Sequence, residues 1–432
     1  MEIPNKSTAS TIGKYRWTIS ALLFAATTIN YIDRQILSLI KPILDEELKW
    51  TNEEFGLVNG AFQGAYAVGL LFFGWFVDKY GEKVGYTVSI ISWSVAAIGH
   101  SFVSSVTGFF VARTALGLGE AGNFPSAVKA TATWFPQRER AFATTLFNAG
   151  TNVGPILAPA IVPWIALTWG WQMAFIVAGV AGFLWLLLWI PFYTQPEKNK
   201  YVSEAELKFI ESDRPDVSTG PKSSWLGLMK YRQTWSFIVA KFMTDPVWWF
   251  FLIWLPDYFK KTRGLDIKES WVHLVSIYTI ITVLSLLGGW LPGYLSKRGW
   301  SVTRARKTGF FIFALCFLPI FFVTQVEDWP AVFLIGLAGA AHQAWSANLF
   351  TTVSDMFPKY AIGSVVGIGG MAGAIGGMLF PVFSGRLLDI FTARGNVTGG
   401  YTVLFTICAF AYLVAFAIHH LLAPRFEKFQ LK

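Results

Sequence analysis

Long apolar runs alternate with short polar stretches along the whole chain. A membrane-spanning helix needs roughly 20 mostly apolar residues. The strands of a membrane barrel would instead alternate apolar and polar positions, whereas every residue from 183 to 190 is apolar. The pattern therefore predicts twelve spanning helices, near residues 15–40, 54–77, 84–104, 107–132, 140–167, 171–193, 233–259, 271–296, 306–325, 330–354, 362–388 and 400–422.

A polar stretch at residues 194–232 divides the predicted helices into two sets of six. A glycine-bounded motif at 74–81 follows the second helix, and a similar motif at 293–299 follows the eighth. Parallel six-helix repeats are one known architecture of membrane proteins. We therefore expect an all-α polytopic membrane protein with six-helix bundles at 1–193 and 233–432. The Ser203–Glu206 spacing predicts a capping box and a short amphipathic helix in the linker at 194–232.

Composition supports lipid as the solvent. Charged residues make up only 14% of the chain, against about 25% in soluble domains. The two cysteines, Cys316 and Cys408, lie inside apolar runs, and neither has metal-binding or redox spacing. We therefore predict no metal and no cofactor, and the absence of a nucleophile motif or nucleotide loop disfavours an enzyme.

The net charge of +9 is unevenly distributed. Counted over loops and span ends, 24 lysines and arginines fall on the side of the N-terminus, the linker and the C-terminus and eight on the opposite side, so the positive-inside rule predicts that these segments are cytoplasmic. This distribution argues against nucleic acid as a partner. One predicted outer loop is also basic, and it either attracts an anionic solute or is neutralised by nearby acids. Its basic residues are Lys260, Lys261, Arg263 and Lys268, and the acids are Asp257, Asp266 and Glu269.

Six charged residues fall well inside predicted spans, where each charge costs roughly 2.5–3.5 kcal/mol on insertion scales. They could simply pair with one another. However, four of them cluster in the first and fourth helices, and apolar residues would serve stability there equally well. We therefore interpret the set as functional; its members are Asp33, Arg34, Arg113, Glu120, Lys241 and Asp245.

The spacing of these charges predicts how they are arranged. Arg113 and Glu120 are seven residues apart and share a helical face, whereas the adjacent Asp33 and Arg34 diverge by about 100°. We expect Asp33 to turn toward Arg113 and Arg34 to face a substrate carboxylate, which its planar fork can bind bidentately. We also count Arg113 among the expected substrate-binding residues. Tyr31 and Tyr66 are either additional hydroxyl donors or packing residues.

Neutral polar groups are expected to complete the pocket, chiefly His342, Gln343 and Trp345 of the tenth helix. Positions 342, 345 and 346 share one face, and Gln343 points about 100° away. These side chains contact the solute or form inter-helix hydrogen bonds, and the same alternatives apply to Asn148 and Asn152 on the fifth helix. Lys241 and Asp245, four residues apart, form an internal pair, or Lys241 binds the anion directly.

The sequence Gly74-x-x-x-Asp78-Lys79-x-Gly81 resembles the signature loop of the major facilitator superfamily, although Glu82 replaces a usual basic residue. Glycines permit close packing and tight turns, and Asp78 can pair with a basic residue or cap a helix N-terminus. We therefore expect Gly74, Asp78, Lys79 and Gly81 to act in gating. Five further stretches resemble the anion:cation symporter family and its bacterial hexuronate-transporter branch: 30–34, 113–125, 147–154, 241–250 and 342–348.

The resemblance implies a monomeric carrier in the bacterial inner membrane that imports a sugar-acid anion with protons. It also implies that Asp33 and Glu120 carry protons and that Arg34 binds the substrate. The physical requirement is that a carboxylate changes its proton affinity when it gains or loses an arginine partner. An anion exchanger of the same fold is the alternative, but a basic pocket would not need Asp33 and Glu120, and a channel would not need duplicated halves.

Overall fold

The computed structural model describes residues 13–212 and 225–427, which form helices joined by short connections and contain no β-strand. Both chain ends and residues 213–224 of the predicted linker lie outside the described residues. Two 3₁₀ segments are present at Pro196–Lys198 and Leu318–Gln325. The helices are α1 (Tyr15–Leu39), α2 (Lys41–Leu48), α3 (Asn52–Tyr80), α4 (Glu82–His100), α5 (Val106–Glu120), α6 (Asn123–Trp134), α7 (Gln137–Asn148), α8 (Gly150–Trp169), α9 (Trp171–Phe192), α10 (Glu204–Glu211), α11 (Trp225–Leu228), α12 (Arg232–Arg263), α13 (Ile267–Lys297), α14 (Val302–Phe317), α15 (Asp328–Met356), α16 (Lys359–Ala393) and α17 (Val397–Leu422).

The all-α membrane architecture is confirmed. Within the described ranges, eight helical segments are long and apolar enough to cross a membrane. The other predicted spans coincide with α1, α4, α5–α6 and α15. Two of these, α1 and α5, contain four of the six predicted intramembrane charges, which lower the apolar character by which a span is recognised.

Two of the predicted helices that contain proposed site residues are interrupted in the structure. The span predicted at 107–132 divides into α5, which ends at Glu120, and α6, which begins at Asn123. The span predicted at 140–167 divides at Ala149, between α7 and α8. Both interruptions adjoin polar residues proposed from the sequence, so they change which side chains share a face.

The linker contains the helix α10, and its cap differs from the predicted box. Ser203 Oγ accepts from the Glu206 backbone N–H at 3.2 Å. The Glu206 carboxylate instead accepts from the backbone N–H groups of Tyr15 and Arg16, each at 3.1 Å. This happens because the first turn of α1 presents N–H donors without intrahelical partners, and it docks the linker against the start of α1.

The parts of the chain before and after the linker, here called the first and second halves, meet closely on the side away from the linker. Asp389 at the end of α16 accepts from the backbone N–H groups of Asn52 and Glu53 at 3.0 and 2.8 Å. Lys41 Nζ lies 2.8 Å from Asp257 Oδ1 of α12. These contacts close that side, called the far side below, and the opposite side is called the linker side.

Candidate functional site

A cavity of about 700 Å³ lies between the two halves. It extends to Trp225 of α11 on the linker side, whereas the contacts of Lys41 and Asp389 close the far side. The molecule is therefore open toward the linker. Side chains of both halves form the wall, and those predicted from the sequence are Tyr31, Arg34, Tyr66, Asn148, Lys241, Asp245, His342 and Gln343.

Arg34 supplies the first-half charge on the cavity wall. Its Nε donates to Glu120 Oε2 at 2.7 Å, and Glu120 itself is fully buried. The rings of Tyr31 and Tyr66 lie 4.7 and 4.6 Å from the Arg34 guanidinium carbon. Arg34 Nη2 is buried and has no hydrogen-bond partner among the described residues. The guanidinium is therefore held in place through Nε while donors remain free for an anion.

Asp33 and Arg113 do not form the predicted pair. Both Asp33 carboxylate oxygens are buried without a hydrogen-bond partner in the described part of the chain. Arg113 Nη2 donates instead to the backbone carbonyl oxygen of Arg34 at 3.0 Å. Neither Asp33 nor Arg113 lines the large cavity. Arg113 therefore holds the α1 backbone at Arg34, and its contact with substrate stays a prediction.

The two predicted asparagines separate. Asn148 lines the cavity, but Asn152 does not, and Thr151 takes the neighbouring position on the wall. Asn152 Oδ1 is buried without a hydrogen-bond partner among the described residues. The two asparagines share a face only in one continuous helix, and the break at Ala149 lies between them.

On α15, Gln343 faces the cavity and Trp345 faces away from it, which is the reverse of the prediction. His342, Gln343 and Ser346 line the cavity, whereas Trp345 is fully buried and packs against Phe310, with ring centroids 4.6 Å apart. The spacing along a helix predicts which residues share a face but not which face a neighbouring helix covers. Here a pocket beside α14 takes the indole, so Trp345 belongs to the core.

His342 is held from two sides. Its Nδ1 lies 2.6 Å from the Tyr412 hydroxyl, and its ring stacks on Trp248 with centroids 5.4 Å apart and planes 4° from parallel. Trp248 and Trp249 also line the cavity, and sequence reasoning did not single them out. Their position within two turns of Lys241 on α12 was the available signal.

The structure brings Lys241 and Asp245 together on the cavity wall. Lys241 Nζ lies 2.6 Å from Asp245 Oδ2. The internal-pair alternative is therefore realised, and both partners still face the cavity. A search of the described residues for groups of three or more His, Cys, Asp and Glu side chains that could hold a metal ion finds none.

Comparison with known proteins assigns the family. The family model of the Major Facilitator Superfamily matches residues 23–381. The chain belongs to the major facilitator superfamily. It is 30% identical over 399 residues to the hexuronate transporter of Escherichia coli (strain K12), covering 91% of this chain and 90% of that protein. It is 29% identical over 395 residues to the probable galactarate/D-glucarate transporter of the same strain, covering 87% and 88%.

Among solved structures, the chain resembles a bacterial homologue of the human lysosomal transporter Spinster in an inward-facing, occupied conformation. The TM-score is 0.75 at 16% identity, covering 95% of this chain and 97% of that one. At this identity the likeness shows the fold. This member of the superfamily is therefore a multi-pass membrane protein with the fold of the transporters that it resembles.

The superfamily signature loop makes all its observed contacts within the first half of the chain. Gly81 has φ of +84°, a conformation that favours glycine, and it forms the turn between α3 and α4. Lys129 Nζ lies 3.4 Å from Asp78 Oδ1, and Lys79 Nζ lies 5.0 Å from the centroid of the Trp75 ring. A side chain added at Gly74 would meet no atom within 4 Å, so Gly74 is not closely packed here.

Two of the four basic residues in the loop on the far side pair with acids named in the neutralisation alternative. Lys260 contacts Asp266, and Lys261 Nζ lies 3.2 Å from Asp257 Oδ1. Burial lowers the pKa of the Lys41 ammonium, but Asp257 and Asp45 outweigh it and raise that pKa overall. Lys41 is therefore a cation, and its bond to Asp257 is a buried ion pair between the two halves.

Proposed function

We propose that this protein is a symporter that couples proton entry to the import of a sugar-acid anion, resembling a hexuronate, by alternating access. The observation that carries the proposal is the Arg34–Glu120 pair beside the cavity, at 2.7 Å. The names of the relatives support the substrate class, because hexuronate, galactarate and glucarate are all sugar acids.

In the proposed cycle, the substrate carboxylate binds the free donors of Arg34. An arginine holds a carboxylate most strongly when it does not share its donors with another anion. A proton on Glu120 removes the competing charge, so protonation and substrate binding favour each other. Asp33, whose oxygens have no hydrogen-bond partner among the described residues, is the second proposed proton carrier. Tyr31, Tyr66, Asn148, His342 and Gln343 contact the rest of the solute.

The proposed orientation places both chain ends and the linker in the cytoplasm of a bacterium, with the protein in the inner membrane as a monomer. The distribution of lysine and arginine supports it. The open cavity then faces the cytoplasm. When the linker side closes, the signature-loop residues contact the second half, which they do not contact in the present arrangement of the described residues. These residues are Gly74, Asp78, Lys79 and Gly81.

The test is uptake into proteoliposomes with an acidic exterior and labelled D-glucuronate. We expect accumulation above equilibrium that collapses with a protonophore. Glu120→Gln should abolish accumulation driven by the gradient while leaving exchange of internal for external substrate, because it removes the titrating group and keeps a neutral partner for Arg34.

Glu204→Gln is the matched control, since Glu204 lies on the exposed face of α10 and its side chain is 82% accessible. It should transport like the unmodified protein. Accumulation by Glu120→Gln at the unmodified level would contradict the proposed coupling. Exchange without any response to the pH gradient in the unmodified protein would favour an anion exchanger.

A further inference from the structure

The cavity holds a second buried ion pair, Lys241 and Asp245, which the proposed proton step does not use. The two side chains are 7% and 18% exposed, and both face the cavity. Taking two charges out of water is expensive, and apolar residues of similar volume often stabilise a protein equally well. A pair kept on a cavity wall therefore points to a ligand.

Lys241 retains donors for such a ligand. An ammonium group has three N–H donors. Within the described ranges, its contacts are one carboxylate oxygen of Asp245 and the face of the Phe350 ring, 4.7 Å away. Asp245 packs closely against Gly373 of α16, where any added Cβ would overlap its Oδ2. The ammonium is thus anchored at one end and open toward the cavity.

The Lys241–Asp245 pair and Arg34 line the same cavity, and Trp249 of the same helix as the pair lies beside Arg34. The Trp249 ring lies 5.7 Å from the Arg34 guanidinium carbon. Asp245 precedes Trp249 by four residues on α12, about 6 Å along the helix axis. The end carboxyl carbons of an extended six-carbon diacid are separated by five bonds, about 6 Å. Arg34 and Lys241 both line this cavity, so one carboxylate of a diacid can lie at Arg34 while the other lies near Lys241.

We propose that Lys241 is a second carboxylate-binding residue and that the cavity accepts six-carbon sugar diacids across both halves. The proposal rests on the proposed function, because Arg34 must hold the first carboxylate. A uronic acid offers Lys241 only an uncharged end. A diacid offers it a charge-assisted hydrogen bond, which is roughly twice as strong as a neutral one.

The experiment compares D-glucuronate with D-glucarate, which differ only in the oxidation state of one terminal carbon. Uptake and competition are measured in proteoliposomes for the unmodified protein and for Lys241→Met. We expect the unmodified protein to carry both acids. We expect Lys241→Met to weaken apparent affinity for D-glucarate at least tenfold more than affinity for D-glucuronate.

Two further variants keep the test decisive. Lys241→Met leaves Asp245 without its partner, so Lys241→Met/Asp245→Asn removes both charges and should show the same change in the affinity ratio if the single variant does not fold. Lys208→Met is the control, because Lys208 forms an exposed pair with Glu204 on the linker and should leave both affinities unchanged.

The outcomes separate this inference from the proposed function. Transport of neither acid by the unmodified protein would overturn the proposed function. Transport of D-glucuronate without transport of, or competition by, D-glucarate would overturn only the role of Lys241. An equal loss of affinity for both acids in the Lys241 variants would also overturn it, since a merely structural role predicts that result.

Discussion

Arg34 occupies a membrane-spanning helix, where a charge is costly, and its neighbours offset that cost. Glu120 accepts from its Nε, and aromatic rings of Tyr31, Tyr66 and Trp249 lie within 5.7 Å of its guanidinium carbon. A cation over an aromatic ring gains about 0.5–2 kcal/mol. The residue is held rigidly by these contacts, so an entering carboxylate meets an ordered guanidinium.

The planar fork of Arg34 should matter beyond its charge. We expect Arg34→Lys to weaken D-glucuronate binding at least tenfold, because an ammonium cannot keep Glu120 and a bidentate carboxylate in the same geometry. Calorimetry in detergent measures the affinity. Arg394→Lys, at an exposed position after α16, is the control, and equal affinities in the two variants would contradict the role of the fork.

At this scale, sequence reasoning placed Arg34 on the cavity wall, whereas Trp345 and Arg113, expected beside it, do not line the large cavity. The charge of Arg34 inside an apolar run is visible in one dimension, since its cost demands a partner or a solvated face. The sequence does not reveal how α15 is rotated about its axis, because His342 and Trp345 share a face whichever neighbouring helix that face meets. Only the pocket beside Phe310 assigns Trp345 to the core.

The helices contribute through where they begin and end. α5 ends directly at Glu120, so the residue that binds Arg34 lies at a break in the fourth predicted span. The start of α3 lies against Asp389, which accepts from two of its first backbone N–H groups. A carboxylate at a helix N-terminus is favoured both by these bonds and by the helix dipole.

Asp389 should therefore stabilise the far side of the molecule. We expect Asp389→Ala to lower the free energy of unfolding by about 1–2 kcal/mol, as loss of a helix cap does. Asp389→Asn should cost less, because its amide oxygen still accepts one bond. Denaturant titration in detergent measures both. Equal stability of Asp389→Ala and the unmodified protein would show that water replaces the cap.

The whole molecule is closed on the far side and open on the linker side. Lys41 and Asp257 are each 1% exposed, and they join α2 to α12 across the two halves. Removing one partner of a buried pair leaves an uncompensated charge, at a cost of roughly 3–5 kcal/mol. The closed arrangement of the far side therefore depends strongly on this pair.

We expect Lys41→Met to shift the molecule toward opening on the far side. In a variant without native cysteines, a cysteine at Asn59 reports this change, since Asn59 lines a small cavity of about 20 Å³ beside Arg34 and Arg113. Labelling of intact cells by a membrane-impermeant thiol reagent should be several-fold faster in Lys41→Met.

The double variant Lys41→Met/Asp257→Met should restore slow labelling, because it removes both charges and leaves none unpaired. Lys208→Met should be labelled at the same rate as the cysteine-free variant that carries only the cysteine at position 59. Fast labelling of the parent itself would contradict a closed far side.

The sequence by itself determined that the chain lies in lipid, that its spans are α-helices and that six charged residues lie inside them. Apolar runs of sufficient length have to be helical in lipid, where every backbone group needs an internal partner. The tertiary structure decided which charges pair, since Arg113 reaches the Arg34 carbonyl oxygen and leaves Asp33 without a hydrogen-bond partner among the described residues. It also decided which face of α15 meets the cavity and which side of the molecule is closed. These choices depend on contacts between residues distant in the chain, such as Lys41 with Asp257, and local spacing carries no information about them.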